Sequence, residues 1–272
     1  MNHDAISALV LGAIEGFTEF LPISSTGHLI LAGYFLNFQQ AVEGNGLDKV
    51  FDVVIQLGAI LAVVVFNFGR LWQVLVGLPR DPAERRFAAA VILAFIPAAV
   101  LGAIFHDFIK SVLFSPWVVV VSLVVGGIAI LLIERLSPRP RYRSIDSIPM
   151  RTALGIGFCQ AIAMIPGVSR AGATILGGEL LGVDRRIATE FSFFLAIPTM
   201  LGATVLDLFK ARHDLTTNGI GLIAIGFITA FVVAIPVVKG LINFVGRYGL
   251  TPFAWYRIVF GLAFGAWLYY AG

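Results

Sequence analysis

Hydrophobic residues come in long runs along this chain, interrupted by short polar stretches. Six of the runs are long and apolar enough to cross about 30 Å of hydrocarbon as helices. They occupy residues 50–68, 87–105, 117–133, 191–209, 220–238 and 253–270. Two further segments, residues 5–38 and 152–181, are apolar overall but broken in the middle. The breaks read LPISSTGH (residues 21–28) and IPGVSRAGAT (residues 165–174). Proline interrupts a helix ladder and glycine permits a tight turn. Each half is about 15 residues or fewer, too short to cross comfortably. Both segments are therefore expected to be re-entrant helix–loop–helix hairpins. Irregular backbone at membrane depth is tolerated only where protein or a wet cavity satisfies it, so the breaks point to a site.

The broken segments resemble one another. Pro22, Ser25, Gly27, Ile30, Leu31 and Gly33 match Pro166, Ser169, Gly172, Ile175, Leu176 and Gly178, with one residue inserted before Gly172. Phe51, Leu57 and Leu61 then fall against Phe191, Ile197 and Leu201, and Pro97 against Pro236. The expectation is one unit used twice, about residues 1–137 and 150–272, within a single integral membrane domain. Charge placement sets the orientation. One set of loops carries Arg70, Arg80, Arg85 and Arg86; Arg135, Arg139, Arg141, Arg143 and Arg151; Arg185 and Arg186; and Lys239 and Arg247. The other set is neutral or acidic: Glu43, Asp48 and Lys49; Asp107 and Lys110; Asp207, Lys210, Arg212 and Asp214. With six crossings and two non-crossing hairpins, the basic loops share one side, which the positive-inside rule makes cytoplasmic. Both termini then lie outside. Three crossings per unit is odd, so the second copy is inverted, and the hairpins would enter from opposite faces and meet near the midplane. The fold class expected is an all-α polytopic membrane protein with an inverted-topology internal repeat.

Composition strengthens this picture. Of 272 residues, 58% are hydrophobic and 13% charged, with mean hydropathy +0.93. A typical soluble domain has about a quarter charged residues, so this chain needs lipid as its solvent. The single cysteine, Cys159, excludes an internal disulfide framework. No Cys/His cluster has zinc-ligand spacing, nothing suggests a nucleic-acid partner, and residues 1–7 lack the basic region of a cleavable signal peptide.

Ionisable groups at membrane depth are costly and are functional candidates by default. Glu15 and Glu19 share one helix face, where two like charges repel unless a cation or a proton lies between them. Ser24, Ser25, Thr26 and His28 follow at once. The second break supplies Arg170, flanked by Ser169 and Thr174. Its guanidinium fork fits phosphate oxygens, and the turn PGVSRAG can present backbone N–H groups to an anion. An arginine clamp, donor hydroxyls, metal-binding acids and a nucleophile beside a base together suit phosphoryl transfer. Purely structural readings compete: Glu15, Glu19 and Arg170 as mutual pairing partners, the hydroxyls as bonds to the broken helices, His28 as a satisfied core residue. Asp52, Gln56, Glu179 and Glu190 read as hairpin support. His3, His106 and His213 are assigned no role.

The run EGFTEFLPISSTGH (residues 15–28) and the run PGVSRAGAT (residues 166–174) resemble the two signature motifs of the undecaprenyl-diphosphate phosphatase family, the bacitracin-resistance type. The resemblance extends over nearly the whole chain, through FDVVIQLGAILAVVV, EFSFFLAIPTMLGAT and GFITAFVVA. One departure is Ala171, where the family often has a second serine. The resemblance implies hydrolysis of a polyprenyl diphosphate lipid carrier, undecaprenyl diphosphate, to its monophosphate in the bacterial plasma membrane. It implies a site open to the outer side and dependence on a divalent cation, Mg²⁺ or Ca²⁺. By motif position Ser25 would be the nucleophile and Arg170 the diphosphate clamp. Glu15 and Glu19 would bind the metal or activate the nucleophile, and His28 would be an acid/base group. Ser24, Thr26, Ser169 and Thr174 would supply hydroxyls to substrate. Glu19 and His28 remain alternative bases, and direct attack by water remains an alternative to attack by Ser25. Broken helices in inverted repeats are also a transporter design, so a secondary transporter or flippase of a phosphorylated lipid is the competing class. A homodimer is compatible with the sequence.

Overall fold

The computed structural model describes residues 3–38, 50–109, 113, 115–211 and 219–271. Glu43, Asp48, Lys49, Lys110, Arg212, His213 and Asp214 lie outside the described residues, as do the side chains of His106 and Asp107. Among the described residues the chain is helical without strands, and a single bridge joins Tyr142 to Val183. The helices are α1 (His3–Thr18), α2 (Ser25–Phe35), α3 (Phe51–Phe66), α4 (Phe68–Gly77), α5 (Pro82–Phe108) and α6 (Pro116–Leu136). They continue with α7 (Met150–Ile162), α8 (Arg170–Leu180), α9 (Arg185–Ala211), α10 (Ile220–Tyr248) and α11 (Thr251–Ala271).

Four helices are long and apolar enough to cross a membrane, α5, α6, α9 and α10, and a fifth crossing results if α3 and α4 form one span. The run expected over 50–68 forms α3 and ends at a 73° turn into α4. The break falls at Asn67, whose amide donates back to the Val63 carbonyl at 3.0 Å. No residue of α4 is buried, and Phe68, Trp72 and Leu75 are exposed along it. Helix α11 has the length of a crossing, 21 residues. Its two Trp, three Tyr and Arg257 dilute the aliphatic content that marks the other spans. Exposure confirms the nonaqueous surroundings of this multi-pass architecture. Ile104 and Val205 are each 66% exposed and Val259 64%, an outward apolar surface that water would not tolerate over this area.

The two segments expected to break do so. At 1.5 Å per residue, the 16 residues of α1 reach about 24 Å and the 11 of α2 about 16 Å. Helices α7 and α8, of 13 and 11 residues, are as short. Each first half lies against a long helix from the other part of the chain: α1 on α10, α7 on α5. The contacts are backbone to backbone. A Cβ on Gly16 would collide with the Ala230 carbonyl, and one on Gly157 with the Ala94 carbonyl. Pro97, Pro198 and Pro236 lie inside α5, α9 and α10, where each removes a ladder hydrogen bond.

The main core gathers where both hairpin turns meet α3, α5, α9 and α10, with Phe20 edge-on to Phe193 at a centroid distance of 5.5 Å. At one end Glu134, closing α6, accepts from the Leu250 amide at 2.6 Å, from the Thr251 hydroxyl, and from Arg185 at 3.0 Å. Arg185 also donates to Glu179 at 2.6 Å, so α6, α8, α9 and α11 are pinned together there. Glu179, expected to support its hairpin, does so.

Gly157→Ala is expected to destabilise the protein in detergent by about 1–3 kcal/mol, because the new methyl meets a carbonyl that cannot retreat. Gly69→Ala adds a Cβ with nothing within 4 Å and should leave the melting temperature level or raise it. Equal melting temperatures for both variants would contradict the close approach of α7 and α5.

Candidate functional site

Both hairpin turns end on a serine that precedes a helix. In the first, Ser24 adopts φ 70°, a left-handed conformation that favours glycine, and Ser25 opens α2. In the second, Gly167 takes φ +88°, Ser169 caps α8 by accepting from the Gly172 amide at 3.1 Å, and Arg170 opens the helix. A Cβ at Gly167 would meet the backbone of Val119 at 2.7 Å, so this turn has a second reason for glycine. Two helix N-termini, each with uncommitted N–H groups, thus start from the same region. The hairpins also touch: the Ser169 hydroxyl donates to the Leu21 carbonyl at 3.2 Å.

Glu19, one turn beyond Glu15 and just past the end of α1, joins the two motifs. Its Oε2 accepts from the Ser25 hydroxyl at 2.7 Å and its Oε1 from Arg170 Nη2 at 2.9 Å. All three residues line a cavity of about 180 Å³ together with Ser24, Thr26 and Ser169. Arg170 Nη1 donates to the Ser192 carbonyl at 3.1 Å, and the guanidinium lies over the Phe20 ring, 5.6 Å from its centroid. Arg170 Nε keeps a donor without a partner among the described residues. A hydroxyl, a carboxylate and a guanidinium in series form an arrangement that can take a proton from the hydroxyl and hold an anion beside it.

Three residues singled out in the sequence lie off this cavity. Glu15 is fully buried behind Glu19, interacting with the Glu19 and Asp52 carboxylates and with Arg170. Both of its oxygens lack a hydrogen-bond partner among the described residues. Thr174 sits behind Arg170, donating to the Arg170 and Ala171 carbonyls and sharing a hydrogen bond of 2.7 Å with Ser192. His28 faces a different, apolar cavity. Its Nδ1 is 2.7 Å from the Ser24 carbonyl and Nε2 is 2.6 Å from the Tyr256 hydroxyl. Nδ1 therefore donates, Nε2 accepts, and the ring stacks on Phe260 at 4.3 Å. His28 so holds the carbonyl of the strained Ser24.

Orphaned buried oxygens next to a second carboxylate call for a proton or a cation, and this is the feature a metal would need. Among the described residues no group of three His, Cys, Asp or Glu is placed to hold a metal ion by itself. Glu15 and Glu19 would thus be the protein's carboxylate share of a hard-cation site, the rest falling to phosphate oxygens and water, as is common for Mg²⁺.

Gln56, expected to support its hairpin, lines the cavity, as do residues outside the motifs. Gln160 and Thr199 are among these, with Thr199 and the Gln160 amide 3.3 Å apart. Arg257 is only 2% exposed, yet among the described residues it has no carboxylate partner. It donates instead to four carbonyls: Pro22 at 3.2 Å, Gly167 at 2.9 Å, Ser122 at 2.9 Å and Leu123 at 3.3 Å. One guanidinium therefore ties both hairpin turns to α6. Its signal in the sequence was its isolation, a single charge within an aromatic span.

Comparison with known proteins agrees with these motifs. The family model for bacitracin resistance protein BacA matches residues 8–263. The undecaprenyl-diphosphatase of Paracoccus denitrificans is 52% identical over 264 residues, covering 97% of each chain. Undecaprenyl-diphosphatase 2 of Paramagnetospirillum magneticum is 56% identical over 256 residues, covering 94% of this chain and 96% of its own. The undecaprenyl-diphosphatase of Parvibaculum lavamentivorans is 55% identical over 256 residues, 94% of each.

Arg257→Met keeps the bulk of the side chain and removes every donor. Orphaning these carbonyls is expected to cost at least about 3 kcal/mol. The variant should unfold earlier in a denaturant titration and lose activity together with stability. An unchanged unfolding midpoint would mean that the hairpin turns do not depend on this residue.

Proposed function

The chain belongs to the bacitracin resistance protein BacA family, and we propose that it acts as an undecaprenyl-diphosphate phosphatase. It releases inorganic phosphate from undecaprenyl diphosphate and returns undecaprenyl phosphate, the lipid carrier of cell-envelope synthesis, to use. The observation that carries the reading is the Ser25–Glu19–Arg170 series, which draws a nucleophile and base from one hairpin and an anion clamp from the other.

In the proposed reaction Ser25 Oγ attacks the terminal phosphorus while its proton passes to Glu19 Oε2. The bond from that phosphorus to the bridging oxygen breaks, and undecaprenyl phosphate leaves with the electron pair and takes the proton from Glu19, which becomes a carboxylate again. Glu19 then takes a proton from water as the water attacks the phosphoserine, and Ser25 recovers its proton as phosphate departs. Arg170 and the N–H groups opening α2 and α8 face the negative charge that develops on the phosphoryl oxygens. Glu15 and Glu19 would hold a divalent cation, Mg²⁺ or Ca²⁺, which when bound supplies further neutralisation of the diphosphate charge. Glu19 is favoured as base because it already accepts from Ser25, whereas both nitrogens of His28 are engaged elsewhere. His28 and Thr174 are assigned positioning roles, the first through the Ser24 turn and the second through Arg170 and Ser192.

The finer topology belongs to the same proposal. Six crossings with two re-entrant hairpins in an inverted repeat is supported by the matched pairings of α1 with α10 and α7 with α5. The loops rich in arginine would face the cytoplasm, putting the site opening and both termini on the outer side. A transporter would need the hydroxyl only as a ligand, while here it is paired with a base. Relatives covering nearly the whole chain carry the name of a hydrolase.

The test is phosphate release from undecaprenyl diphosphate by the purified protein. Release should stop on chelation and return with Mg²⁺ or Ca²⁺. Arg170→Ala and Glu19→Gln should each lower turnover by about 10²–10³-fold. Ser25→Ala should be at least as damaging; near-normal turnover in that variant would favour direct attack by water. No release from folded wild type would overturn the phosphatase assignment and turn attention to lipid flux.

A further inference from the structure

We infer that the first isoprene units of the substrate lie in one particular groove, between α6 and the α7–α8 hairpin, with Cys159 in its wall. This rests on the phosphatase reading and says where the lipid part of that substrate goes. The groove has a volume of about 380 Å³. Val168 and Ser169 line both it and the Ser25–Glu19–Arg170 cavity, so the two spaces share a wall at the second hairpin turn. Two larger apolar cavities, of about 650 and 690 Å³, share no lining residue with the site.

The groove has the polarity of an amphiphile. Its polar residues, Ser122, Ser169 and Arg257, gather at the end next to the site. Beyond them both walls are hydrocarbon, Val125, Ala129 and Ile133 on α6 facing Leu176 and Leu180 on α8. From Ser122 to Ile133 the α6 wall runs about 16 Å, enough for the first few isoprene units. Its rim opens to the surroundings, with Val125 58% and Ile162 56% exposed, so the remainder of a long tail can leave into the bilayer. Gly177 keeps the floor low: a Cβ there would strike Cys159 Cβ at 2.6 Å. For a chain whose phosphate end is held at Arg170, this is the apolar groove that adjoins the site across Val168 and Ser169.

Cys159 is the single cysteine of the chain and is only partly buried, which makes the wild-type protein its own reporter. The probe is N-ethylmaleimide, applied to the full-length protein in phosphatidylcholine nanodiscs. Undecaprenyl phosphate at ten times its dissociation constant should slow labelling about tenfold. Undecaprenol, which lacks the phosphate, and inorganic diphosphate, which lacks the tail, should each leave the rate unchanged. Labelling that is blind to undecaprenyl phosphate, or slowed equally by undecaprenol, would overturn the groove assignment, the second outcome marking it as a site for bulk lipid. Ala129→Phe, which fills the groove away from the reacting groups, supplies a kinetic readout. Its KM for undecaprenyl diphosphate should rise about tenfold while hydrolysis of dimethylallyl diphosphate stays within about twofold. A parallel rise for both substrates would also count against the groove. Normal hydrolysis of undecaprenyl diphosphate without protection of Cys159 leaves the phosphatase reading standing and removes only the groove; absence of hydrolysis removes both.

Discussion

A helix broken in an apolar interior must find donors for the carbonyls it releases, and in this fold one guanidinium meets much of that need. Arg257 sits where the turn of each hairpin passes α6 and donates to a carbonyl of each turn as well as to two of α6. Water could do the same at a surface, but in an apolar interior an unsatisfied carbonyl costs several kcal/mol. With Arg257 in place, the turn 19–24 and the turn 163–169 become fixed relative to each other. The distances among Ser25, Glu19 and Arg170 follow from that. Lysine, with a single nitrogen, does not offer the spread of a planar fork to four acceptors.

Neither hairpin is chemically sufficient. The first brings a hydroxyl and two carboxylates, a surplus of negative charge that cannot by itself receive a diphosphate. The second brings a guanidinium and an N-terminus with no base. Their union at Glu19 pairs opposite charges, and Arg170 Nε has no partner among the described residues. Glu15 adds a buried carboxylate with no donor among the described residues, a local imbalance that a cation would relieve. Structural residues surround this exchange: Thr174 and Ser192 steady Arg170, and His28 steadies Ser24.

Much of this was legible in the chain because breaks in long apolar runs are conspicuous. Pro22 and the pair Pro166 and Gly167 mark both turns, and the charged groups beside them are rare enough at that depth to demand a use. The runs over 87–105, 117–133, 191–209 and 220–238 all fall within long helices. The angle of the turn at Asn67, where the run over 50–68 ends, was hidden because hydropathy does not register direction. Side-chain direction was hidden for the same reason. Glu15 and Glu19 share a helix face in sequence, yet only Glu19 lies beyond the helix end and turns to Ser25. His28 is three residues from Ser25, one helical turn, but its partners are Tyr256 and Phe260, more than two hundred positions away. Arg257 belongs to no motif, since its acceptors are backbone carbonyls that any residue could supply.

The glycine seams that bind α1 to α10 and α7 to α5 bear on how this protein works in time. Helices packed so closely that a methyl group does not fit between them cannot rock past one another without parting along their length. The first helix of each hairpin is therefore seated on its long partner, α1 on α10 and α7 on α5. Entry of substrate and exit of product then fall to the lipid itself, travelling sideways in a two-dimensional fluid. Throughput would be set by how crowded and how viscous that plane is, and the protein would respond to the surface density of its substrate within the membrane rather than to any concentration in the water on either side.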